Sequence, residues 1–260
     1  MPLDLLEKTR KISRLFSSYK KDAVSYPQIS AILGDITTSN VYIIDRNGKI
    51  LGKYINPFVF NSCDVFADEL VGEKFNRFFR SIIDTRNNIK LADVFKLIGV
   101  TLDGVDDSCL CMIIPMSKAG EKVGTLFLLK HNESFNDEDT LIAEYCATLL
   151  SSELMNIIYE EIESENKKLE IIESALATLS STEIDALIFI FDELKSSEGQ
   201  LVASRIADKV GITRSVIVNA LRKIESAELI ETRSLGMKGT YIKITNDRLI
   251  QELKKYRSKL

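Results

Sequence analysis

The chain of 260 residues contains one histidine, no tryptophan and four prolines. His131 lies in KHNESF, a polar stretch that reads as a solvated loop. No H-E-x-x-H, no G-x-S-x-G and no acid pair accompany it, so hydrolytic machinery of the common kinds is excluded and no enzyme is expected. The phosphate-loop pattern G-x-x-x-x-G-K-[ST] is also missing. Cysteine is scarce: Cys63, Cys109, Cys111 and Cys146 read as small buried hydrophobes instead of disulfides. Cys109 and Cys111 would share one face of a strand, but no second pair completes a tetrahedral site, so no metal is expected. No unbroken apolar run approaches the roughly 18 to 20 residues that span a bilayer. The opening MPLDLLEKTRKISRL mixes charges into its apolar positions, unlike a secretory leader. The reading is a cytoplasmic protein with no membrane partner.

What is present is the balance of ordinary globular domains, 45% hydrophobic and 28% charged, with a length that suits two domains. The net charge of −4 conceals an asymmetry. Residues 201–260 hold 13 Lys and Arg against 6 Asp and Glu, a balance of +7, whereas residues 1–200 hold 21 against 32, a balance of −11. A basic C-terminal module on an acidic body points to a polyanionic partner for that module.

Along the chain, Leu5, Thr9, Ile12 and Phe16 predict a first amphipathic helix. VYIIDRNGKILGKY (41–54) predicts a hairpin turning at Asn47-Gly48 in a type I′ turn. CLCMIIPM (109–116) and EKVGTLFLL (121–129) predict a second hairpin, and 57–108 reads as mixed helix and loop. Neither Gly nor Pro occurs from Thr125 to Glu198, which predicts extended helix capped by Asn136. Met155, Ile158, Ile162, Glu165, Leu169, Ile172, Leu176 and Leu179 fall at heptad spacing, a seam for self-association or for packing on the helix's own domain. Ser180-Ser-Thr-Glu183 has capping-box spacing and starts a new helix. Two hairpins with intervening helices and a long exit helix resemble the GAF/PAS class of sensory domain. The fold class is α+β, with a GAF-like sensory domain at 1–136, a connecting helix at 137–179 and a winged helix-turn-helix at 180–260.

The C-terminal expectation rests on LVASRIADKVGITRSVIVNALRKI. Val202, Ile206 and Val210 form one apolar stripe, Gly211 breaks the helix, and Ile217, Ala220, Leu221 and Ile224 form a second. Ala207 supplies the small side chain that two crossing helices need. Opposite the second stripe stand Ser215, Asn219 and Arg222, with Val218 and Lys223 at the margins. Asn can grip adenine through two bonds, Arg can reach guanine or phosphate, and Ser can bond either. Thr213 is placed to cap this helix, with Arg214 beside the cap. LIETRSLGMKGTYIKI predicts a two-stranded wing carrying Arg233, Lys238 and Lys243 toward the phosphate backbone.

The stretch GQLVASRIADKVGITRSVIVNALRKIESAELIETRSLGMKGTYIKI resembles the C-terminal domain of the CodY family of transcriptional repressors. LLEKTRKI, GKILG, GEKVGTL and FNDEDTLIAEYCATLL extend the resemblance end to end, most thinly over 54–108. The resemblance implies a nutrient-responsive global repressor that acts as a homodimer, or a tetramer, on an AT-rich pseudo-palindromic operator. It implies GTP and the branched-chain amino acids isoleucine, valine and leucine as effectors, with no cofactor. It places DNA-reading residues between Ala203 and Arg222, including Ser204 and Arg205, and makes Ser215 a phosphorylation site whose modification opposes DNA binding. For the amino-acid pocket it points to Phe58, Phe60, Cys63, Phe66, Phe75 and Ile98; for GTP, to Arg46, Lys49 and Glu153. Two departures stand out. No Lys or Arg lies between Lys53 and Lys74, although the family's carboxylate-clamping arginine would fall near Cys63, and Ile98-Gly99 replaces a Phe-Pro pair. The cavity is then empty, filled by Phe58, Phe60 and Phe66, or open to another apolar effector. Further along the exit helix, Ile158 replaces a basic residue. The alternative reading is a relative that binds DNA with a rewired or ligand-independent sensor.

Overall fold

The computed structural model describes residues 5–18, 25–57, 65–66, 68–100, 108–194 and 196–258. The chain divides into two compact units, Met1–Tyr159 and Glu160–Leu260. This division falls inside a helix, whose two halves are buried in different cores.

In the first unit, β1 (Asn40–Asp45), β2 (Ile50–Tyr54), β3 (Arg86–Lys90), β4 (Cys109–Lys118) and β5 (Glu121–His131) form an antiparallel sheet in the order β2-β1-β5-β4-β3. Both faces are covered, which is why β5 is apolar almost throughout. Leu126 and Leu128 face a layer built from α1 (Leu5–Ser18), α2 (Tyr26–Thr37) and the start of α5 (Asp137–Ala177). Phe127 and Leu129 face α3 (Glu73–Ser81) and α4 (Leu91–Ile98). The sequence reading of 57–108 missed β3, a polar edge strand with mostly exposed side chains.

Both hairpins form, but the first turns differently. Gly48 alone is left-handed at φ 88°, and Asp45 N–H bonds Lys49 O at 2.9 Å. This is a three-residue loop ending in a bulge glycine, not a type I′ turn, which needs positive φ at two residues. The Asp45 carboxylate enforces it by accepting from the N–H groups of Asn47 and Lys49, each at 2.8 Å. The second hairpin closes at Ala119-Gly120, where both φ values are positive.

The cysteine reading holds in part. Cys109, Cys111 and Cys146 are buried, and Cys111 and Cys146 are free thiols, each pushed up to about 12 by burial. Cys109, however, is disulfide-bonded, because sulfur atoms that the fold brings together can bond whatever the polarity of their sequence neighbours.

Asn136 caps α5 as expected. Its side chain accepts from Asp139 N–H at 2.8 Å while Asp139 accepts from Asn136 N–H at 3.2 Å. Buried Lys130 donates to Asp139 at 2.6 Å, fixing the helix start to β5. One 18-residue window of α5 reaches a mean hydropathy of 1.3, enough by length and composition to cross a bilayer. Its Ile142, Ala143, Cys146, Ala147, Leu150 and Leu154 instead lie in the core of the unit. The heptad seam is consumed similarly. Met155 is buried in the first unit and Ile172, Leu176 and Leu179 in the second, leaving Ile162 exposed between them.

In the second unit, α6 (Ser181–Leu194), α7 (Ala203–Val210), α8 (Arg214–Ser226) and α9 (Leu249–Arg257) surround one core with the end of α5. A sheet of β6 (Glu198–Leu201), β8 (Thr240–Ile244) and β7 (Ile230–Ser234), in that order, closes it. Ser180 and Glu183 make the predicted reciprocal capping bonds at 2.8 and 3.3 Å.

Candidate nucleic-acid interface

The chain leaves α7 through Gly211 at φ 72°, a left-handed residue whose N–H bonds Ala207 O at 2.9 Å. Glycine adopts that conformation without a Cβ penalty, and the turn delivers α8 across α7. Ala207 is buried at the crossing beside Ile206. Val202 is an exposed helix cap, so the apolar stripe of α7 is Ile206 and Ala207, with Val210 at its edge.

All four predicted core residues of α8, Ile217, Ala220, Leu221 and Ile224, are buried. Burying each large member contributes about 1.5 to 3 kcal/mol, which fixes the rotation of the helix. That rotation turns Ser215, Asn219 and Arg222 outward, with Val218 37% exposed between them. Lys223 is committed elsewhere, donating to Thr178 O at 2.9 Å and Glu183 at 2.8 Å. Burial pushes the Glu183 carboxyl up, but the bonds from Lys223 and Ser180 outweigh it and hold the group below its ordinary value.

Thr213 occupies the cap position in extended conformation, yet its hydroxyl pairs with Ser215 Oγ at 2.8 Å and makes no cap bond. Competition between neighbouring hydroxyls displaces the expected cap. Ala203 also departs from expectation: it is half-buried against the core, while Ser204 and Arg205 are exposed.

The wing is β7 and β8 joined by a 3-10 turn, Gly236–Lys238. Arg233, Lys238 and Lys243 are exposed on it. Gly239, at φ 101°, lies where a Cβ would collide with the Leu201 carbonyl oxygen. Gln200 donates to Lys238 O, so the wing base is bonded to β6. Among the described residues, Arg205, Arg214, Arg222, Arg233, Lys238 and Lys243 make no ion pair within the chain. Their charge is available to an external anion.

The sensor residues separate into groups. Phe58, Phe60 and Cys63 lie outside the described residues. Phe66 is buried between Phe75 at 5.1 Å, Tyr42 at 5.2 Å, Phe127 at 6.0 Å and Phe79 at 6.4 Å. Ile98 packs against the same layer. Lys53 donates to Phe66 O at 2.6 Å, placing a cation at that layer which the arginine comparison overlooked.

Of the GTP residues, Arg46 and Lys49 are exposed on the first hairpin turn, while Glu153 is half-buried on α5. Glu153 adjoins Tyr26, whose phenol is pushed up to about 12 by burial and then by the Glu153 charge. The buried Tyr26 hydroxyl has no hydrogen-bond partner among the described residues. Sequence reading missed it, because an aromatic at a helix start reads as core.

Two family models match the chain: the CodY GAF-like domain over residues 4–178 and the CodY helix-turn-helix domain over 197–257. Curated relatives match almost end to end. A global transcriptional regulator CodY from Oceanobacillus iheyensis is 42% identical, covering 99% of this chain and all of its own. One from a Thermoanaerobacter strain is 44% identical over 96% of this chain and 98% of its own. Among solved structures, the cofactor-binding GAF domain of the nutrient sensor CodY from Clostridium difficile covers 58% of this chain and 97% of its own, at 27% identity and TM-score 0.43.

Proposed function

Since the chain belongs to the CodY family, whose members are transcriptional regulators, we propose that α8 enters the major groove of an AT-rich, pseudo-palindromic operator and represses transcription there. One observation carries the reading: Ser215, Asn219 and Arg222 share the exposed face of a helix whose opposite face is buried. Asn219 and Arg222 bond base edges, and Ser215 and Arg214 meet phosphate at the helix start. Ser204 and Arg205 of α7, with Arg233, Lys238 and Lys243 of the wing, hold the backbone, which gives affinity and register without sequence choice. Half-buried Ala203 packs beneath the motif, and exposed Thr213 opens α8 beside Ser215. A phosphate on Ser215 would bring about two negative charges against the DNA backbone and release it. A two-fold operator calls for a homodimer, or a tetramer built from two, acting in the cytoplasm.

The first unit supplies the signal. GTP is the effector best supported, by the Lys49 cation on the exposed hairpin turn and by Glu153 beside the Tyr26 hydroxyl, which has no hydrogen-bond partner among the described residues. Isoleucine, valine or leucine would need a clamp other than the missing arginine, since a buried carboxylate left unpaired costs several kcal/mol. Operator binding at fixed salt, with the three amino acids and GTP added singly and together, tests this. Tighter binding with GTP alone is the expected result. Binding indifferent to every addition would contradict the sensor reading and leave a ligand-independent DNA binder.

A further inference from the structure

A cavity of about 270 Å³ opens between the first hairpin turn, the C-terminal half of α3 and the start of β5. It lies in the first unit, on the α3 face of the sheet, whereas Glu153 belongs to α5 on the other face. Three cations border it from three separate elements: Arg46 on the turn, Arg80 on α3 and Lys122 on β5. The single acid at its rim, Asp45, already accepts two N–H groups of its own turn. Phe79, almost fully buried, is the one apolar side chain among its lining residues.

Two of the cations are held in place. Arg80 donates through Nε at 3.1 Å and Nη2 at 2.8 Å to the carbonyl of Arg46, which leaves the rest of its guanidinium for another acceptor. Lys122 donates to Phe79 O and, at 2.7 Å, to Ile82 O, capping the end of α3. The frame around them is bonded too, since Val71 N–H reaches Gly48 O at 2.8 Å and Ile50 N–H reaches Glu69 O at 2.8 Å. None of the three cations forms an ion pair with a described carboxylate. Desolvation pushes the Lys122 ammonium down to about 8, as a half-buried cation without a counter-ion requires.

We infer that this cavity is a binding site for a small organic phosphate monoester. A phosphate offers three oxygens to three cationic donors, and its double negative charge balances an excess of two cations. The volume exceeds that of inorganic phosphate, which leaves room for a short carbon skeleton. Such a ligand would join the hairpin turn to α3 and β5, so its occupancy reports a phosphorylated metabolite to the sensor unit independently of the α5 face.

Calorimetric titration of the full chain with glycerol 3-phosphate, inorganic phosphate and glycerol tests it. Saturable binding of glycerol 3-phosphate is expected, tighter than inorganic phosphate, with no heat from glycerol. Arg80→Gln and Arg46→Gln should each weaken binding at least about tenfold, the loss of one charge-assisted hydrogen bond. Arg46 is exposed, so its variant folds even if Arg80→Gln disturbs α3. Lys96→Gln, which removes an exposed charge on α4, should change nothing. On binding, the side-chain resonance of Lys122 should titrate at higher pH. The inference is overturned by absence of saturable binding, by wild-type affinity in R46Q and R80Q, by a matching loss in K96Q, or by inorganic phosphate binding as tightly as the ester.

Discussion

Replacing Lys223 by methionine would detach α8 from the junction of α5 and α6. The ammonium bonds Thr178 O and Glu183, and Glu183 also caps α6 through Ser180 N–H. A hydrogen bond to a charged group contributes about 1.5 to 3 kcal/mol. The Lys223 side chain is 39% exposed, so solvent screens part of this, and a loss of about 1 to 2 kcal/mol at pH 7 is expected. The sign in acid follows from Glu183, which is held below its ordinary value. Such a group contributes stability that is present above its unfolded pKa and lost as pH falls through the folded one. The gap between wild type and Lys223→Met should therefore be full at pH 7 and shrink as Glu183 protonates. Hydrogen exchange of α6 and α8 peptides against urea reads the opening free energy of the second unit. A gap that stays constant into acid, or one below about 0.5 kcal/mol at pH 7, would refute the reasoning.

Three further outcomes are expected. Gly239→Ala forces a Cβ against the Leu201 carbonyl at φ 101°, so it should cost at least about 1 to 3 kcal/mol, read as a fall in Tm. Lys238→Ala should weaken binding to all DNA alike and flatten the slope of log affinity against log salt by about one unit, measured by titrating operator and random duplexes at several salt concentrations. Ser215→Glu should abolish operator binding while circular dichroism and Tm stay at wild-type values.

The second unit was largely legible because its side chains follow one period. Ile217, Ala220, Leu221 and Ile224 could only share a buried face, and Ser180 announces a helix start through short-range bonds, as Asn136 does in the first unit. Thr213 shows the limit, since its spacing suits a cap but Ser215 lies nearer to its hydroxyl. Sequence was poorer wherever long-range contact decides. The residues of β3 alternate in no useful way, because an edge strand with exposed side chains needs no pattern. The seam on α5 has heptad spacing, yet Met155 and Leu176 answer to different cores. Cys109 looks like any buried thiol until another sulfur meets it. The cavity beside α3 was invisible for the same reason: Arg46, Arg80 and Lys122 are far apart in sequence, and only the fold brings them to one rim.

The measurement that bears most directly on the DNA reading is the affinity of Asn219→Ala for operator and for random duplex at one salt concentration. Asn219 is exposed and carries no core contact, so folding should be untouched. Loss of about 1 to 3 kcal/mol on the operator, with random DNA bound as before, is predicted for a side chain that reads a base edge. An equal loss on both duplexes, or none on either, would contradict the placement of α8 in the major groove.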